Sequence, residues 1–219
     1  MSDLAELRDM IEAILVDNSN AVWTTGTIDS AIRLALYEYN HAVPRHTDTT
    51  ITLAADGREI DYSAVQAMAN IQTIERVWLP YTSSDPEHPP ESRAFEHWRN
   101  EQKLFITRGS QPLSSEVARI FFTVRHTIES LDGAQDTTVL AEDEQLIVLG
   151  ACGFAAVSRE IDVREQVTID RDVGEEIGKW GNARLVEFRA GLERLRVRDG
   201  LSGMMVPNLV MDRYDGEWS

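Results

Sequence analysis

Residues 24–44, TTGTIDSAIRLALYEYNHAVP, predict a complete helix together with both of its ends. Thr24 and the hydroxyl residues beside it can cap the first turn, and Pro44 cannot continue a helix. Between them, apolar side chains recur at the spacing of one helical face. That face consists of Ile28, Ala31, Ile32, Ala35, Leu36 and Tyr39. The stretch therefore predicts an amphipathic helix packed on a core.

Three further helices are predicted from the same periodicity. The first covers residues 3–16 and ends at the polar run DNSN, residues 17–20. Its apolar face consists of Leu4, Leu7, Ile11, Ile14 and Leu15. The second covers residues 142–161, where acids in the first turn complement the helix dipole and a nearly unbroken apolar body predicts deep burial. The third covers residues 174–198 and is predicted to be long and surface-lying, since its apolar stripe is narrow: Leu185, Phe188, Leu192 and Leu195.

The middle third of the chain is predicted to be β, because its periodicity alternates. A β-hairpin is predicted over residues 49–62, where Asp56-Gly57 is a tight-turn pair between two alternating runs. The run SSDPEHPP, residues 83–90, predicts a proline-rich loop. Further strands are predicted over residues 71–80, 103–107 and 117–125.

Residues 200–219, GLSGMMVPNLVMDRYDGEWS, predict an extended tail. The segment is rich in apolar side chains but has no helical period, and Gly203 and Pro207 are helix breakers. Such a tail either folds back on its own core or binds a partner. The candidate partner-binding residues are Met204, Met205, Val206, Pro207, Leu209, Val210, Met211, Tyr214 and Trp218.

The composition favours a soluble globular protein, with 42% hydrophobic and 26% charged residues. A formal net charge of −16 opposes tight binding to nucleic acid, which relies on Lys and Arg. No apolar run approaches the roughly 20 residues that span a membrane, and the acidic start lacks the features of a signal peptide, so cytoplasmic synthesis without membrane association is expected. Cys152 has apolar neighbours and is predicted to be a small buried side chain.

No catalytic, metal-binding or cofactor-binding residue is predicted. The sequence contains no GxxxxGK[ST] phosphate loop, no HExxH zinc helix, no CxxC pair and no GxSxG elbow. An aromatic group in the β segment could form a sugar-binding platform, although the aromatic residues of a small sheet usually form its core. This group consists of Trp78, Tyr81, Phe95 and Trp98.

Arginines concentrate on the predicted last helix of this acidic chain. One interpretation is a solvated face, because the helix dipole favours cations near the C-terminus of a helix. The other is contact with an acidic surface of another protein or with DNA phosphates. The candidates for that contact, between subunits or with a partner, are Arg184, Arg194 and Arg198.

The order of these elements resembles the head-tail adaptor (head-tail connector) proteins of tailed bacteriophages and prophages. In that family a tryptophan, here Trp23, precedes a short polar turn and a helix of the type Leu/Ile-x-x-Ala-Ile-x-x-Ala-Leu-x-x-Tyr, here residues 28–39. The segments IERVWLPY, residues 74–81, and EDEQLIVLGACGFAAVSREI, residues 142–161, are also similar, as is the long helix before the tail. These are packing motifs without catalytic content.

Residues and resemblance together imply an α+β fold: mainly a helical bundle, with an inserted antiparallel β subdomain and an extended C-terminal tail. The expected divisions are N-terminal helices over residues 1–46, a β-rich insertion over 47–127, C-terminal helices completing the bundle over 128–199, and the tail over 200–219.

The resemblance further implies a non-enzymatic structural protein of the virion neck, made in the host cytoplasm. About twelve copies would form a homo-oligomeric ring beneath the portal protein. The ring would join the capsid to a tail or stopper protein and let DNA pass without specific binding, with the C-terminal tail extending along or into the portal.

Three alternatives stay open at the level of the sequence. The first is another neck or tail-completion protein of the same particle. The second is a carbohydrate-binding or enzymatic domain built on the β segment around Trp78 and Trp98. The third is a cytoplasmic helical scaffold or regulator with no phage connection.

Overall fold

The computed structural model has the predicted α+β architecture. It divides into a helical unit, formed by Met1–Val43 and the residues from Leu140 onward, and a β unit, Pro44–Val139. The backbone alone is described for residues 163–165, 171–173 and 199–203. The structure as a whole describes residues 1–17, 22–82, 84, 92–165 and 171–203.

Helix α1 spans Leu4–Leu15, close to its predicted bounds. Asp3 and Glu6 form a reciprocal capping box, in which each side chain accepts a hydrogen bond from the backbone N–H of the other. Val16 ends the helix in the left-handed conformation, with φ of 55°. Four residues of the predicted apolar face are buried, Leu4, Leu7, Ile11 and Leu15, whereas Ile14 is largely exposed.

Helix α2 spans Thr25–Ala42, so it begins and ends where the sequence predicts. The Thr24 side chain accepts a hydrogen bond from the backbone N–H of Thr27 and caps the first turn. Leu36 is only half-buried, at the edge of the predicted apolar face. The rest of that face is buried: Ile28, Ala31, Ile32, Ala35 and Tyr39.

Helices α3, Glu144–Glu165, and α4, Arg171–Gly203, approach each other closely because glycines line their contact. A Cβ atom added at Gly181 would lie 2.9 Å from the Ala156 Cβ and 3.1 Å from the Gly153 carbonyl oxygen. A larger side chain therefore cannot fit unless a helix moves. The deep burial predicted for α3 is confirmed by Ile147, Val148, Ala151, Cys152, Ala155 and Ala156.

The strands of the β unit form two antiparallel three-stranded sheets in the part of the chain that the structure describes. In chain order they are β1 (Arg45–Thr52), β2 (Glu59–Asp61), β3 (Ile71–Trp78), β4 (Phe95–Trp98), β5 (Lys103–Ile106) and β6 (Val117–Val124). The first sheet has the order β1-β6-β3 and the second has the order β2-β5-β4. Strand β4 has only four residues, and the sequence did not predict it.

The predicted hairpin over residues 49–62 is wrong, because its two strands belong to different sheets. Strand β1 pairs with β6, placing Thr49 opposite Ile120, and β2 pairs with β5, placing Ile60 opposite Leu104. The Asp56-Gly57 pair lies between these strands and carries the chain from one sheet to the other. Alternation specifies which face of a strand is buried but leaves the identity of its partner strand open.

Both sheets contribute to one hydrophobic core in the β unit. The side chains of β6 alternate along the strand, so that Ala118, Ile120 and Phe122 are fully buried. The remaining buried members are Leu53, Ile60, Tyr62, Met68, Ile71, Ile74, Val77, Leu79, Leu104 and Ile106.

The two units join at Val43–Pro44 and at Val139–Leu140. The predicted domain limits, at residues 46, 127 and 199, stay predictions. Helix α4 continues to Gly203, so the segment that follows the helix begins at Met204. Residues 204–219, which include every candidate residue of the tail, lie outside the described residues.

Candidate interaction surfaces

The candidate arginines of α4 occupy different environments. Arg184 is half-buried: its Nη1 donates to Glu187 at 2.8 Å, and its guanidinium lies 5.6 Å from the centroid of the Trp180 ring. Its buried Nε has no hydrogen-bond partner among the described residues. Arg194 is exposed, whereas Arg198 is bound within the helical unit. Their predicted contacts with a partner stay predictions.

Arg198 closes a polar network that ties α4 to α2 and to the turn before α3. The Tyr39 hydroxyl donates to Asp143 Oδ2 at 2.8 Å, and Arg198 donates to the same oxygen at 3.0 Å and to Glu142 at 2.6 Å. Burial, reinforced by the Asp143 carboxylate, raises the pKa of Tyr39, so its hydroxyl remains a donor. The network fixes the part of α4 from which residues 204–219 continue.

A second ion pair ties α4 to α2 on the exposed side of the helical unit. Arg189 donates to both carboxylate oxygens of Glu38, at 3.1 and 2.8 Å, in the two-pronged geometry that strengthens such pairs. The pair lies beside a shallow cleft of about 290 Å³. The cleft is lined by Glu38, His41, Ala42, Arg189, Leu192, Glu193 and Arg196.

An apolar groove of about 370 Å³ opens in the helical unit where its helices meet the turn before α2. Trp23 forms part of its wall and is held there by a hydrogen bond from its Nε1 to the carbonyl oxygen of Ala155, at 3.3 Å. We call this feature the tryptophan groove. Its lining residues are Ile14, Leu15, Trp23, Ala156, Glu176, Ile177 and Trp180.

Sequence reasoning missed the tryptophan groove because distant parts of the chain line it. In the sequence, Trp23 belongs to a packing motif, and no motif contains Trp180. Ile14, predicted to belong to the buried face of α1, is 46% exposed at the groove. The local signal that could point to a surface site is Trp23, a large apolar residue next to a short polar turn.

The outer face of the β1-β6-β3 sheet carries arginines stacked among aromatic rings. Arg119 lies over the rings of Trp78, Tyr81 and Phe121, at 5.9, 5.2 and 5.1 Å from their centroids. Arg76 lies over Trp78 and Phe121, at 5.6 and 5.3 Å. Such cation–π contacts are favourable at a half-buried surface. Because guanidinium groups cover Trp78, its ring does not offer a sugar a free stacking platform.

The prediction that the aromatic group forms the core of its sheet is wrong for Trp78, Tyr81 and Trp98, whereas Phe95 packs against that core. Trp78 and Tyr81 lie on the outer face of the first sheet, since alternation turns Trp78 away from the buried side of Val77. Phe95 and Trp98 lie on β4 in the second sheet, where Trp98 stacks on Phe105 with ring centroids 5.3 Å apart. All four are half-buried, and aliphatic side chains dominate the core.

Cys152 is fully buried on α3, as predicted. Burial raises the pKa of its thiol to about 12, so the thiol stays protonated and unreactive in the folded chain. Within the described residues, no cluster of histidine, cysteine and carboxylate side chains has the arrangement to hold a metal ion. No helix in the same part of the chain is long and apolar enough to cross a membrane.

No protein-family model matches the sequence, and no curated protein matches it. The chain is similar to a solved "neck of empty GTA particle computed with C6 symmetry", with 14% identity, a TM-score of 0.31, and coverage of 81% of this chain and 87% of that chain. It is also similar to a "neck of native GTA particle computed with C12 symmetry", with 15% identity, a TM-score of 0.28, and coverage of 81% and 86%. Both similar structures are necks of gene transfer agent particles, which are phage-like.

Proposed function

We propose that this chain is a structural protein of the neck of a tailed-phage-like particle, and specifically a head-tail adaptor that forms a ring beneath the portal. The observation that carries the proposal is the architecture. A β unit is inserted between α2 and α3 of a helical unit, and the last helix leads to an apolar C-terminal segment. This is the order of elements that the resemblance to adaptor proteins implies.

The residues of the adaptor-like motif also have the packing roles that such a motif needs. Trp23 ties the turn before α2 to α3 through its hydrogen bond to Ala155. Within residues 28–39, Ile28, Ile32 and Tyr39 are fully buried. The motif therefore organises the contact between helices, which supports the resemblance to adaptor proteins.

A ring requires that one face of each subunit contacts a different face of the next. The helical unit offers faces of different chemistry: an apolar tryptophan groove, and an α4 surface on which Arg194 and Arg196 are exposed. Acidic surfaces are abundant in a chain of net charge −16, so they can pair with these arginines in a neighbouring copy. The same net charge suits a channel through which DNA passes without binding.

The proposed partners are the portal protein, neighbouring copies of the chain and a tail or stopper protein. The candidate contact with the portal is the C-terminal segment, residues 204–219, which follows α4. In this arrangement the Tyr39–Asp143–Arg198 network would hold the end of α4 in place while the segment binds.

Light scattering and negative-stain imaging of the full-length chain, alone and mixed with the portal protein of the same particle, test this proposal. We expect a ring captured on the portal. A variant lacking residues 204–219 should remain helical by circular dichroism but lose that capture. The matched control is Lys179→Ala, which changes an exposed side chain of α4 outside the proposed contacts, keeps the segment and should be captured like the wild-type chain.

Each other result points to a different role. A chain that stays a monomer or dimer and ignores the portal contradicts the adaptor role and favours a scaffold or regulator. A ring that forms but does not bind the portal favours another neck or tail-completion layer of the same particle.

A further inference from the structure

The tryptophan groove has the chemistry of a binding site for an apolar peptide segment. Its walls are mostly apolar, and its charged lining residue, Glu176, is exposed. Its volume of about 370 Å³ lies within the range of roughly 300–1,000 Å³ typical of ligand pockets. Next to it in the chain, Val16 is 88% exposed and Val22 is 42% exposed, which extends the apolar surface.

The chain itself contains a segment of matching chemistry. Residues 204–211, MMVPNLVM, carry six large aliphatic side chains in eight positions, and Pro207 disfavours a helix there. An apolar segment of this length is costly to leave in water. The following stretch, residues 212–219, differs because most of its side chains are polar or charged.

Residues 204–211 cannot fill the groove of their own chain. With a rise of about 1.5 Å per residue, α4 places Gly203 about 35 Å along its axis from Trp180. A fully extended chain spans at most about 3.5 Å per residue, so Met211 reaches no more than about 28 Å from Gly203. To reach the groove of its own chain, the segment would also need to turn back along α4, which shortens the reach further.

We propose that the tryptophan groove of one copy binds residues 204–211 of a second copy. The contact joins two different surfaces, the groove and the segment, so it is heterologous and propagates from copy to copy. This inference rests on the proposed ring and identifies the contact that links its subunits. Residues 212–219, with Tyr214 and Trp218, remain for the portal contact.

Disulfide crosslinking between two differently labelled full-length chains tests the contact. One chain carries Glu176→Cys at the groove and the other carries Val206→Cys in the segment. Native Cys152 is fully buried and does not compete. After mild oxidation we expect roughly tenfold more linked dimer than in a mixture with the matched control Glu175→Cys, because docking raises the effective concentration of the two thiols. Glu175 is exposed beside the groove but does not line it.

Two results would overturn the inference while leaving the proposed function intact. One is a ring that is captured on the portal but shows no more crosslink with Glu176→Cys than with Glu175→Cys. The other is an internally linked monomer formed by one chain that carries both Glu176→Cys and Val206→Cys, which would place the segment in its own groove. A chain that neither crosslinks nor assembles with the portal overturns both proposals.

Discussion

The contact between α3 and α4 in the helical unit and the core of the β unit are stabilised by opposite features of their side chains. In the helical unit α3 and α4 meet where side chains are missing, at Gly153 and Gly181. In the β unit the sheets meet where side chains are large, around Phe122 on the central strand β6. The α3–α4 contact should therefore fail when volume is added, and the core of the β unit should fail when volume is removed.

The largest expected effect is a cavity in the β unit. Phe122→Ala empties a fully buried position and should lower the free energy of unfolding by about 3–5 kcal/mol. Phe121→Ala, on the half-buried outer face of the same strand, should cost about 1 kcal/mol through lost contacts with Arg76 and Arg119. Urea unfolding measures both. Equal costs would show that the outer face is as important to packing as the core.

Added volume should break the helical unit. Gly181→Leu forces a side chain against Ala156 and the backbone of Gly153, and should cost about 2–3 kcal/mol. Leucine favours helix over glycine by up to about 1 kcal/mol, so any loss must come from packing. The control is Gly26→Ala in the first turn of α2, where the added Cβ meets only Thr24 Oγ1 at 3.9 Å. This substitution should raise the free energy of unfolding by about 0.5–1 kcal/mol. A stable Gly181→Leu protein would show that the helices can separate without loss.

The same contrast explains how much of the fold the sequence could predict. The hydroxyl caps at residues 24–27 and the end before Pro44 are local signals, and the observed helix, Thr25–Ala42, begins and ends at them. The partner of β1 is β6, which follows it by most of the β unit, and alternation in β1 contains no information about that partner. The hairpin prediction is therefore wrong, although the side chains of both strands alternate as the sequence predicts.

Prediction of the candidate surfaces from the sequence has a similar limit. Cys152 was predicted to be buried because its immediate neighbours are apolar, and it is. The tryptophan groove joins Trp23 to Trp180, and the pairing of such distant residues depends on how α1, α3 and α4 pack. The outer face of Arg76, Trp78, Arg119 and Phe121 has a local signal, since residues two apart in a strand share a face. Of these four residues, only Trp78 belongs to the aromatic group singled out from the sequence, and that group was assigned to the core.

A smaller loss of stability is expected when a buried tyrosine hydroxyl is removed from the helical unit, and almost none when an exposed one is removed. Tyr39→Phe removes the hydrogen bond to Asp143 and leaves that buried carboxylate with Arg198, which should cost about 1–2 kcal/mol. The matched control is Tyr37→Phe on the same helix, where the side chain is 56% exposed, and it should be neutral within about 0.5 kcal/mol. Thermal unfolding compares the two. Equal stabilities would mean that Asp143 is satisfied without the tyrosine.

The smallest expected effect is a pH dependence confined to the β unit. The Tyr62 hydroxyl lies 2.7 Å from Nε2 of His97. Burial, followed by the charge of Arg99, lowers the pKa of His97, while burial raises the pKa of Tyr62 and keeps its hydroxyl protonated. The folded state therefore binds a proton at His97 less readily than the unfolded chain, whose histidines titrate near about 6.5. The contribution of neutral His97 to the free energy of unfolding is fully present above that pH. It is lost as the pH falls through the lowered pKa of the folded state.

Urea unfolding of the β unit at pH 7.5 and at pH 5.5 should expose this dependence. The wild-type chain should lose stability at the lower pH, and His97→Gln should lose less because glutamine does not titrate. Arg99→Gln removes the second cause of the lowered pKa, so its pH dependence should fall between those two. If all three proteins lose the same amount, the acid-sensitive group lies elsewhere, and the contact between Tyr62 and His97 serves packing alone. An intermediate value for Arg99→Gln would instead separate the contribution of burial from that of the neighbouring charge.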